Sequence, residues 1–428
     1  MMRRTSYATI LSILVIAACS GGEGNWSGTI TDSAGVVIVS NTDQGVWTTS
    51  SRWTLEEELR IGAIEGDPEY QFGQIGFIAV DSRDRMFVID AQAQHVRVFS
   101  PEGHYEQTIG GPGSGPGELG PQAISLYMGA GDTLLVPDLG QQRVNRYAPD
   151  GTSLGSFQLD LLNGMPMAIN ATRSGVIAEQ VRPLSLPDRP ATDSMDMIVT
   201  LSTDGSVLDT LRRFPPGGTL NLANPNSPEV NLFTAEPVWQ ITDDMYLLFG
   251  INDNYRIGVY SPDGELERIM TKPFELTPIG ESDQEMMWTF FEEQLRDAVP
   301  PQAYAQAMQQ MRSVIRFAEY YPAFAGMQVG PNGSIWVQHI QSPSGMSEEE
   351  LKEWNFIEDI GSPDWDVFDS EGRFMGIVTM PNRFAPRAFV GNRIYGVWRD
   401  ELDVQYVVRL RIVGVADGDT GAIELSSQ

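Results

Sequence analysis

The chain contains a single cysteine, Cys19, among its 428 residues. A disulfide within the chain and a metal site built from several thiolates are therefore both excluded. Basic residues are also scarce, since 28 lysines and arginines stand against 57 acidic residues and the formal net charge is −29. Because nucleic acid binding needs a basic surface, this balance predicts that nucleic acid is not a partner. The same balance argues against broad electrostatic attraction to anionic lipid.

Histidine occurs only three times, as His95, His104 and His339. The first two flank one hairpin and the third lies far along the chain, so a metal site of several histidines is not expected. The sequence also lacks a G-x-S-x-G elbow, an H-E-x-x-H helix and a P-loop. No common catalytic motif therefore marks the chain as an enzyme.

The first nineteen residues have the pattern of an export signal. MMRR at positions 1–4 supplies a positive head, and the apolar run over 7–18 is too short to span a bilayer as a helix. The run ends in IAAC at positions 16–19, which resembles the bacterial lipobox. This resemblance implies a signal peptide over 1–18, cleavage before Cys19, and lipid on the sulfur and freed amine of Cys19. An ordinary secretory peptide with an incidental cysteine is the alternative.

The residues that follow Cys19 are polar and glycine-rich, which is typical of a flexible tether, here assigned to 19–33. We therefore expect an exported protein that is anchored to the outer membrane or cell surface by lipid and faces the periplasm or the exterior. Several acyl chains anchor a protein stably, whereas one is marginal.

One short pattern recurs through the rest of the chain: an alternating strand followed by a polar turn that ends in glycine. It occurs as VFSPEG (98–103), RYAPDG (146–151), TLSTDG (200–205), VYSPDG (259–264) and VFDSEG (367–372). A tight hairpin needs such a glycine because its backbone takes a positive φ. The turn glycines lie 48, 54, 59 and 108 residues apart, which is typical of propeller blades, each a four-stranded antiparallel sheet.

The first repeat reads I-x-V-D-x-x-x-x-x-F-V-x-D from Ile78, and the linker GPGSGPGELGPQ occupies 111–122. These stretches resemble the NHL-type repeats of six-bladed propellers, and the resemblance covers roughly residues 53–413. NHL-like propellers include lyases and lactonases as well as binding modules. The resemblance therefore implies a fold and leaves the function open.

Ring closure predicts the sixth blade. Strands over 388–412 supply only three of its strands, while residues 59–62 repeat the pattern of 107–110. An N-terminal strand should therefore complete blade six and leave no free edge. GVVIVS at 35–40 is a further expected strand, without an assignable partner. We thus predict an all-β, six-bladed propeller over 34–415, with a tail over 416–428. The tether would enter the propeller at blade six. It is long enough for either face of the propeller to point away from the membrane.

The long segments should all lie on one face, because B–C loops and connections between blades leave an up-and-down blade on the same side. They are 181–196, 212–235, 276–322 and 341–364. A helical insertion at about 281–322 is expected between blades four and five, since Ser282 to Glu285 fits a capping box and Pro301 can begin a second helix. Ser347 should open a further short helix. The methionines and aromatics of the insertion either pack it onto the rim or form a cap over the channel mouth.

The candidate site residues lie at or near the ends of the B strands. Propeller enzymes often place ligands there, and oxygen ligands could hold Ca²⁺ or another divalent cation, although no cofactor is required. They are Asp90, Asp138, Glu179, Asn252, His339 and Arg399 with its neighbour Asp400. The competing interpretation is that the first two aspartates cap tight turns. A second group consists of Trp239, Trp336, Trp398, Tyr246 and Arg387, which either pack between blades or line a site.

The leading hypothesis is a lipid-anchored propeller that binds a small-molecule ligand, a peptide or a protein partner on the face with the long loops. One alternative is a metal-dependent lactonase or a lyase with a cation at the channel mouth. Another is a structural scaffold of the cell envelope.

Overall fold

The structure is a computed structural model that describes residues 26–161, 164–184, 195–221, 229–347, 351 and 361–415. Six sheets follow one another as the blades of a propeller, five of them four-stranded and one extended to six strands, which confirms the predicted fold. Strands are lettered A to D from the central channel outward, as in propellers generally.

Blades one to three are formed by consecutive strands of the chain. Blade one contains β4 (Ile75–Val80), β5 (Met86–Asp90), β6 (His95–Phe99) and β7 (Tyr105–Ile109). Blade two contains β8 (Tyr127–Met128), β9 (Leu134–Asp138), β10 (Arg143–Tyr147) and β11 (Ser153–Gln158). Blade three contains β12 (Met165–Ala171), β13 (Ile177–Arg182), β14 (Asp196–Leu201) and β15 (Val207–Phe214).

Blades four to six incorporate the N-terminal part of the chain. Blade four contains β18 (Pro237–Ile241), β19 (Leu247–Ile251), β20 (Arg256–Tyr260) and β21 (Leu266–Thr271), extended outward by β2 (Val36–Ser40) and β1 (Thr29–Ser33). Blade five contains β23 (Gly326–Val329), β24 (Ile335–Ile340), β25 (Gly361–Phe368) and β26 (Phe374–Thr379). Blade six contains β27 (Phe384–Val390), β28 (Arg393–Arg399), β29 (Gln405–Val413) and β3 (Thr54–Ile61).

The core consists of six apolar layers, one between each pair of neighbouring blades. The middle strands are covered on both faces, and every residue of β5 and β9 is buried. This explains why the B strands read as nearly continuous apolar runs. The hydrophobic effect therefore holds the blades together around the whole ring.

The N-terminal strand closes the ring as expected. β3 pairs antiparallel with β29, and Ile61 stands opposite Val407. Blade six therefore joins strands from both ends of the propeller, so no blade is left without its outer strand.

The five repeated glycine turns are the C–D hairpins, as predicted. Their glycines have φ between 80° and 88°, a region that side chains with a Cβ rarely adopt. Each turn contacts the outer strand of the preceding blade; at Gly205, for example, a Cβ would overlap the carbonyl oxygen of Gln158. The turn glycines are thus needed for packing between blades as well as for the turn.

The strand expected at 35–40 is β2, and its partner is the outer strand of blade four. β2 runs parallel to β21, with Val37 opposite Arg268 and Ser40 opposite Thr271. β1 pairs with β2 through a hairpin, so Thr29–Ser33 is a strand rather than part of the expected tether. β1 thereby becomes the outermost strand of the blade-four sheet.

The insertion between blades four and five contains two helices, α1 (Glu281–Ala298) and α2 (Pro301–Val314). α1 begins one residue before Ser282, because Gly280 is the N-cap and its N–H donates to Asp283. Chain after α2 forms β22 (Ile315–Phe317), which pairs with β17 (Glu229–Leu232) beside β16 (Leu220–Asn221). Among the described residues, four short 3-10 turns span Pro68–Tyr70, Ala130–Asp132, Pro331–Gly333 and Pro343–Gly345.

Two other local expectations differ from the structure or lie outside it. Strand A of blade two is Tyr127–Met128 rather than 123–126, because the linker from blade one runs further before it pairs. The short helix expected after Ser347 lies mostly outside the described residues, as do the signal peptide, Cys19 and the tail. No helix within the described ranges is long and apolar enough to cross a membrane.

Candidate functional site

Asp90 and Asp138 occupy the same position in blades one and two, at the end of strand B. Asp90 accepts backbone N–H groups of Gly73 (2.9 Å) and Ala93 (3.0 Å). Asp138 accepts those of Gly120 (2.8 Å) and Gln141 (3.1 Å). Each carboxylate therefore joins its own B–C turn to the linker that precedes its blade. The turn-capping interpretation fits this geometry, with the linker contact as an addition.

Asn252 performs the same task in blade four. Its Oδ1 accepts the N–H of Glu236 at 2.7 Å, and its Nδ2 donates to the carbonyl of Phe324 at 2.7 Å. Asn252 thus joins the linkers on both sides of its blade. In blade six, Asp400 accepts the N–H groups of its own B–C turn, while Arg399 is buried and lies 3.6 Å from Asp403.

Glu179 lies in the middle of strand B of blade three rather than at its end. Counted from the A–B turn, its position is that of Val88, Val136 and Val337 in other blades. Its neighbours Ile177 and Val181 belong to the apolar layer between blades two and three. Glu179 is 3% exposed, and burial raises the pKa of its carboxyl to about 7.

His339 occupies the position that Asp90 and Asp138 occupy in blades one and two. It contacts Asp366 of the neighbouring strand β25 instead of a linker. His339 Nε2 lies 2.9 Å from Asp366 Oδ1. Lys272 Nζ (2.9 Å) and the Tyr255 hydroxyl (2.7 Å) also donate to this fully buried carboxylate. Burial alone would raise the pKa of Asp366, but these donors outweigh it and lower that pKa. Because Lys272 and Tyr255 belong to blade four, the cluster ties blade five to blade four.

The predicted site residues therefore lie in different blades around the ring, and they do not form one site. Within the described part of the chain, no three or more His, Cys, Asp or Glu side chains are placed to hold a metal ion. The side-chain oxygens of Asp90, Asp138 and Asn252, which were expected to bind a cation, accept protein N–H groups instead. A cation site at the channel mouth thus gains no support from the positions of these residues.

A cavity of about 490 Å³ lies on the face with the long loops, between blades three, four and five. Its inner wall comes from the A strands of blades three and four and from Tyr127 of blade two, which bound the central channel. Its outer wall comes from Thr219, the segment 231–234, and Pro322, Ala325 and Ile340. A cavity of this size is in the range of small-molecule sites.

Paired amides form the polar part of the inner wall. Asn170 Nδ2 donates to Gln240 Oε1 at 2.9 Å, which leaves further amide donor and acceptor positions on the two side chains. Beside them, Trp239 Nε1 donates to Gln180 Oε1 at 2.9 Å. Gln180 in turn contacts Asp196, which is buried and forms a bidentate ion pair with Arg182. The wall is therefore held in one arrangement before any ligand binds.

The insertion covers this region as a small separate layer. Phe233 directly follows β17 of the three-stranded sheet formed by β16, β17 and β22. It clusters with Met287 of α1 and with Ile279 and Tyr321. Asp283 fixes the start of α1 to blade five by accepting the N–H of Ser344 at 3.0 Å. The apolar residues of the helices thus pack the insertion together, and the sheet rather than the helices borders the cavity.

The cavity is nearly uncharged. Glu236 is the one ionisable carboxylate among the described lining residues, and it accepts the N–H of Thr219. Burial raises the pKa of the Tyr127 phenol to about 12, so this hydroxyl stays neutral at physiological pH. Amides and hydroxyls offer both donors and acceptors. The cavity is therefore suited to a neutral polar ligand.

Two lining residues of this site were predicted from the sequence, Asn252 in the first group of candidates and Trp239 in the second group. The other members of that group pack elsewhere: Trp336 is fully buried against Phe389, and Trp398 lies under Arg60 at 3.8 Å. Asn170, Gln180 and Gln240 were missed. No departure from the repeat singles them out, because Gln328 and Gln338 of blade five occupy the positions of Asn170 and Gln180.

Comparison with known proteins supports the fold class. A family model, DUF5128, described as 6-bladed beta-propeller, matches residues 62–169. No curated protein is significantly similar in sequence to this chain. A member of the duf4221 family from Bacteroides vulgatus is 11% identical, with a TM-score of 0.50 and coverage of 85% of this chain and 98% of that one.

Two further structures are less similar. A protein from Bacteroides fragilis is 12% identical, with a TM-score of 0.49 and coverage of 88% of this chain and 99% of its own. Virginiamycin B lyase from Staphylococcus aureus is 12% identical, with a TM-score of 0.41 and coverage of 85% of this chain and 100% of the lyase. These similarities assign neither substrate nor reaction to this chain, and the NHL-type resemblance stays a prediction.

Proposed function

We propose that this chain is an exported, lipid-anchored β-propeller that binds a small neutral ligand bearing hydroxyl or amide groups. The cavity between blades three, four and five is the binding site. The observation that carries this proposal is the hydrogen-bonded pair of Asn170 and Gln240, which lines an almost uncharged cavity beside Trp239.

The polarity, shape and charge of the cavity all support this ligand class. The remaining donor and acceptor positions of the amide pair match a hydroxyl or amide group, and Trp239 offers an apolar surface for the rest of the ligand. The acidic chain, with its net charge of −29, repels anions at long range. Neutral sugars and uncharged peptide amides share the required chemistry.

Thermal unfolding with defined probes tests the binding site. The probes are glucose, N-acetylglucosamine and N-acetylated dipeptide amides, with a sugar phosphate and an acidic dipeptide as charged counterparts. A neutral probe at about 100 times its Kd should stabilise the protein by about 2.7 kcal/mol. Gln240→Met should weaken binding about tenfold, because it removes the amide and leaves Asn170 unpaired.

Gln306→Met is the matched control, since Gln306 is exposed on α2 and away from the cavity lining. It should leave the stabilisation by the neutral probe unchanged. Stabilisation by the charged probes alone, or an undiminished response of Gln240→Met, would contradict the proposed site. Stabilisation by the sugars alone would indicate a sugar ligand, and stabilisation by the dipeptide amides alone would indicate a peptide ligand.

The lipid anchor is tested through Cys19. Cells that express the chain should incorporate labelled palmitate into it, and Cys19→Ser should lose the label and leave the membrane fraction. Several acyl chains anchor a protein stably, so the wild-type chain should resist extraction by salt. An unlabelled wild-type chain, or a membrane-bound Cys19→Ser chain, would overturn the anchor.

A further inference from the structure

The N-terminal segment is a belt along the outer edges of three consecutive blades. It begins as the hairpin of β1 and β2 on blade four, passes along blade five, and ends as β3 in blade six. Val46 and Trp47 donate their N–H groups to the carbonyls of Phe374 and Met375 in the outer strand of blade five. The belt therefore runs on the rim of the propeller, outside both channel mouths.

Asn41 fixes the belt where blade four meets blade five. Its Nδ2 donates to the carbonyls of Thr271 (3.1 Å) and Gly372 (2.9 Å), and its Oδ1 accepts the N–H of Phe374 at 2.7 Å. The side chain is buried at 6% exposure. Three hydrogen bonds to two different blades hold this point of the chain in one place.

The first described residue is attached to the same point. Trp26 Nε1 donates to Asn41 Oδ1 at 3.0 Å, and a Cβ at Gly28 would overlap the Trp26 ring. The position of the chain is thus defined from Trp26 onward, at the rim of blades four and five. Entry into the fold is at this rim, and not at blade six as the sequence indicated.

Only six residues separate Cys19 from Trp26. Seven peptide steps of about 3.6 Å reach at most about 25 Å. If Cys19 carries lipid, the rim of blades four and five is therefore restricted to the immediate neighbourhood of the bilayer.

We propose that the rim of blades four and five lies next to the membrane, while the rim of blade one, opposite blade four in the ring, points away from it. This inference rests on the lipid anchor of the proposed function. The channel mouths then open beside the membrane rather than onto it. The tether and not charge sets this orientation, because the acidic chain gains nothing from anionic lipid.

Single engineered cysteines test the orientation in the lipidated, full-length protein. Cys19 is the only natural cysteine and its sulfur would be blocked by lipid, so a label attaches only to the new residue. Asp43→Cys places a fluorophore on the exposed belt, and Thr108→Cys places it on the exposed outer strand of blade one. Energy transfer to an acceptor on lipid headgroups of phosphatidylcholine vesicles is then measured.

We expect several-fold higher transfer from position 43 than from position 108, and the ratio should not change with salt. About twenty Gly and Ser residues inserted after Gly22 form a flexible coil and should abolish the difference. Equal transfer from both labels, or higher transfer from position 108, would overturn the orientation. Loss of membrane association in the wild-type chain would instead overturn the anchor itself, and the orientation with it.

Discussion

At the scale of the residue, the position at the end of strand B has different partners in different blades. Asp90 and Asp138 join B–C turns to linkers, and His339 at the equivalent place bonds to Asp366 instead. The same backbone position thus supplies a linker contact in one blade and a contact between blades in another. A repeated residue in a propeller is therefore weak evidence for a site until its partners are known.

Glu179 should make stability depend on pH. Its folded pKa of about 7 is raised above the ordinary value of 4.5. The native state therefore favours the protonated carboxyl, so the contribution of Glu179 to stability is fully present below about pH 4.5 and is lost as the pH rises to about 7. The raised pKa of the Glu179 carboxyl makes this loss on the order of 3 kcal/mol.

Glu179→Gln should remove this loss, and urea unfolding from pH 4 to 8 measures it. The free energy of unfolding of the variant should exceed that of the wild type most at pH 8, and only slightly at pH 4.5. Glu106→Gln, at an exposed position, is the control and should leave the pH profile as it is. A wild-type profile that Glu179→Gln does not flatten would show that Glu179 ionises normally in the native state.

At the scale of the element, hairpin chemistry was the most informative part of the sequence. The five C–D turns were predictable because a positive φ selects glycine locally. The ring closure was predictable because an incomplete sixth blade needs an outer strand. The pairing of β2 with β21 was not, since these residues lie about 230 positions apart and local pattern does not specify such a partner.

The cavity could not be predicted for the same reason. Asn170 and Gln240 are 70 residues apart, and neither lies in a motif. Their meeting depends on how two A strands align after the blades pack. Glu179 was identified as a candidate from its type, but its place in mid-strand became visible only through the register of β12 and β13.

Two glycines offer a matched test of packing between blades. Gly205 and Gly155 both have positive φ, 87° and 81°. A Cβ at Gly205 would overlap the Gln158 carbonyl of the preceding blade, whereas nothing lies within 4 Å of a Cβ at Gly155. Both substitutions by alanine add backbone strain of about 1–2 kcal/mol, and Gly205→Ala should cost clearly more.

Chemical denaturation of the two variants measures the difference in the free energy of unfolding. The additional cost at Gly205 reports contact of the C–D turn with its neighbour rather than the turn itself. Equal destabilisation by Gly205→Ala and Gly155→Ala would mean that the turns do not press against the preceding blades.

At the scale of the whole molecule, three parts of the fold have different tasks. Six apolar layers and the closing strand β3 make a rigid ring. The long segments between blades three, four and five build a small covered cavity on one face. The belt holds the outer edges of blades four to six and leads back toward Cys19. In this account the ring is a support, the cavity binds, and the N-terminus positions both.

Mass spectrometry of the protein purified from the cells that make it tests most directly whether the cavity holds a neutral ligand. The intact complex and the denatured extract are compared for the wild type, Gln240→Met and the control Gln306→Met. We expect one neutral compound with hydroxyl or amide groups, retained by the wild type and the control and lost from Gln240→Met. A retained anion, or a compound that Gln240→Met keeps as well as the wild type, would contradict the account.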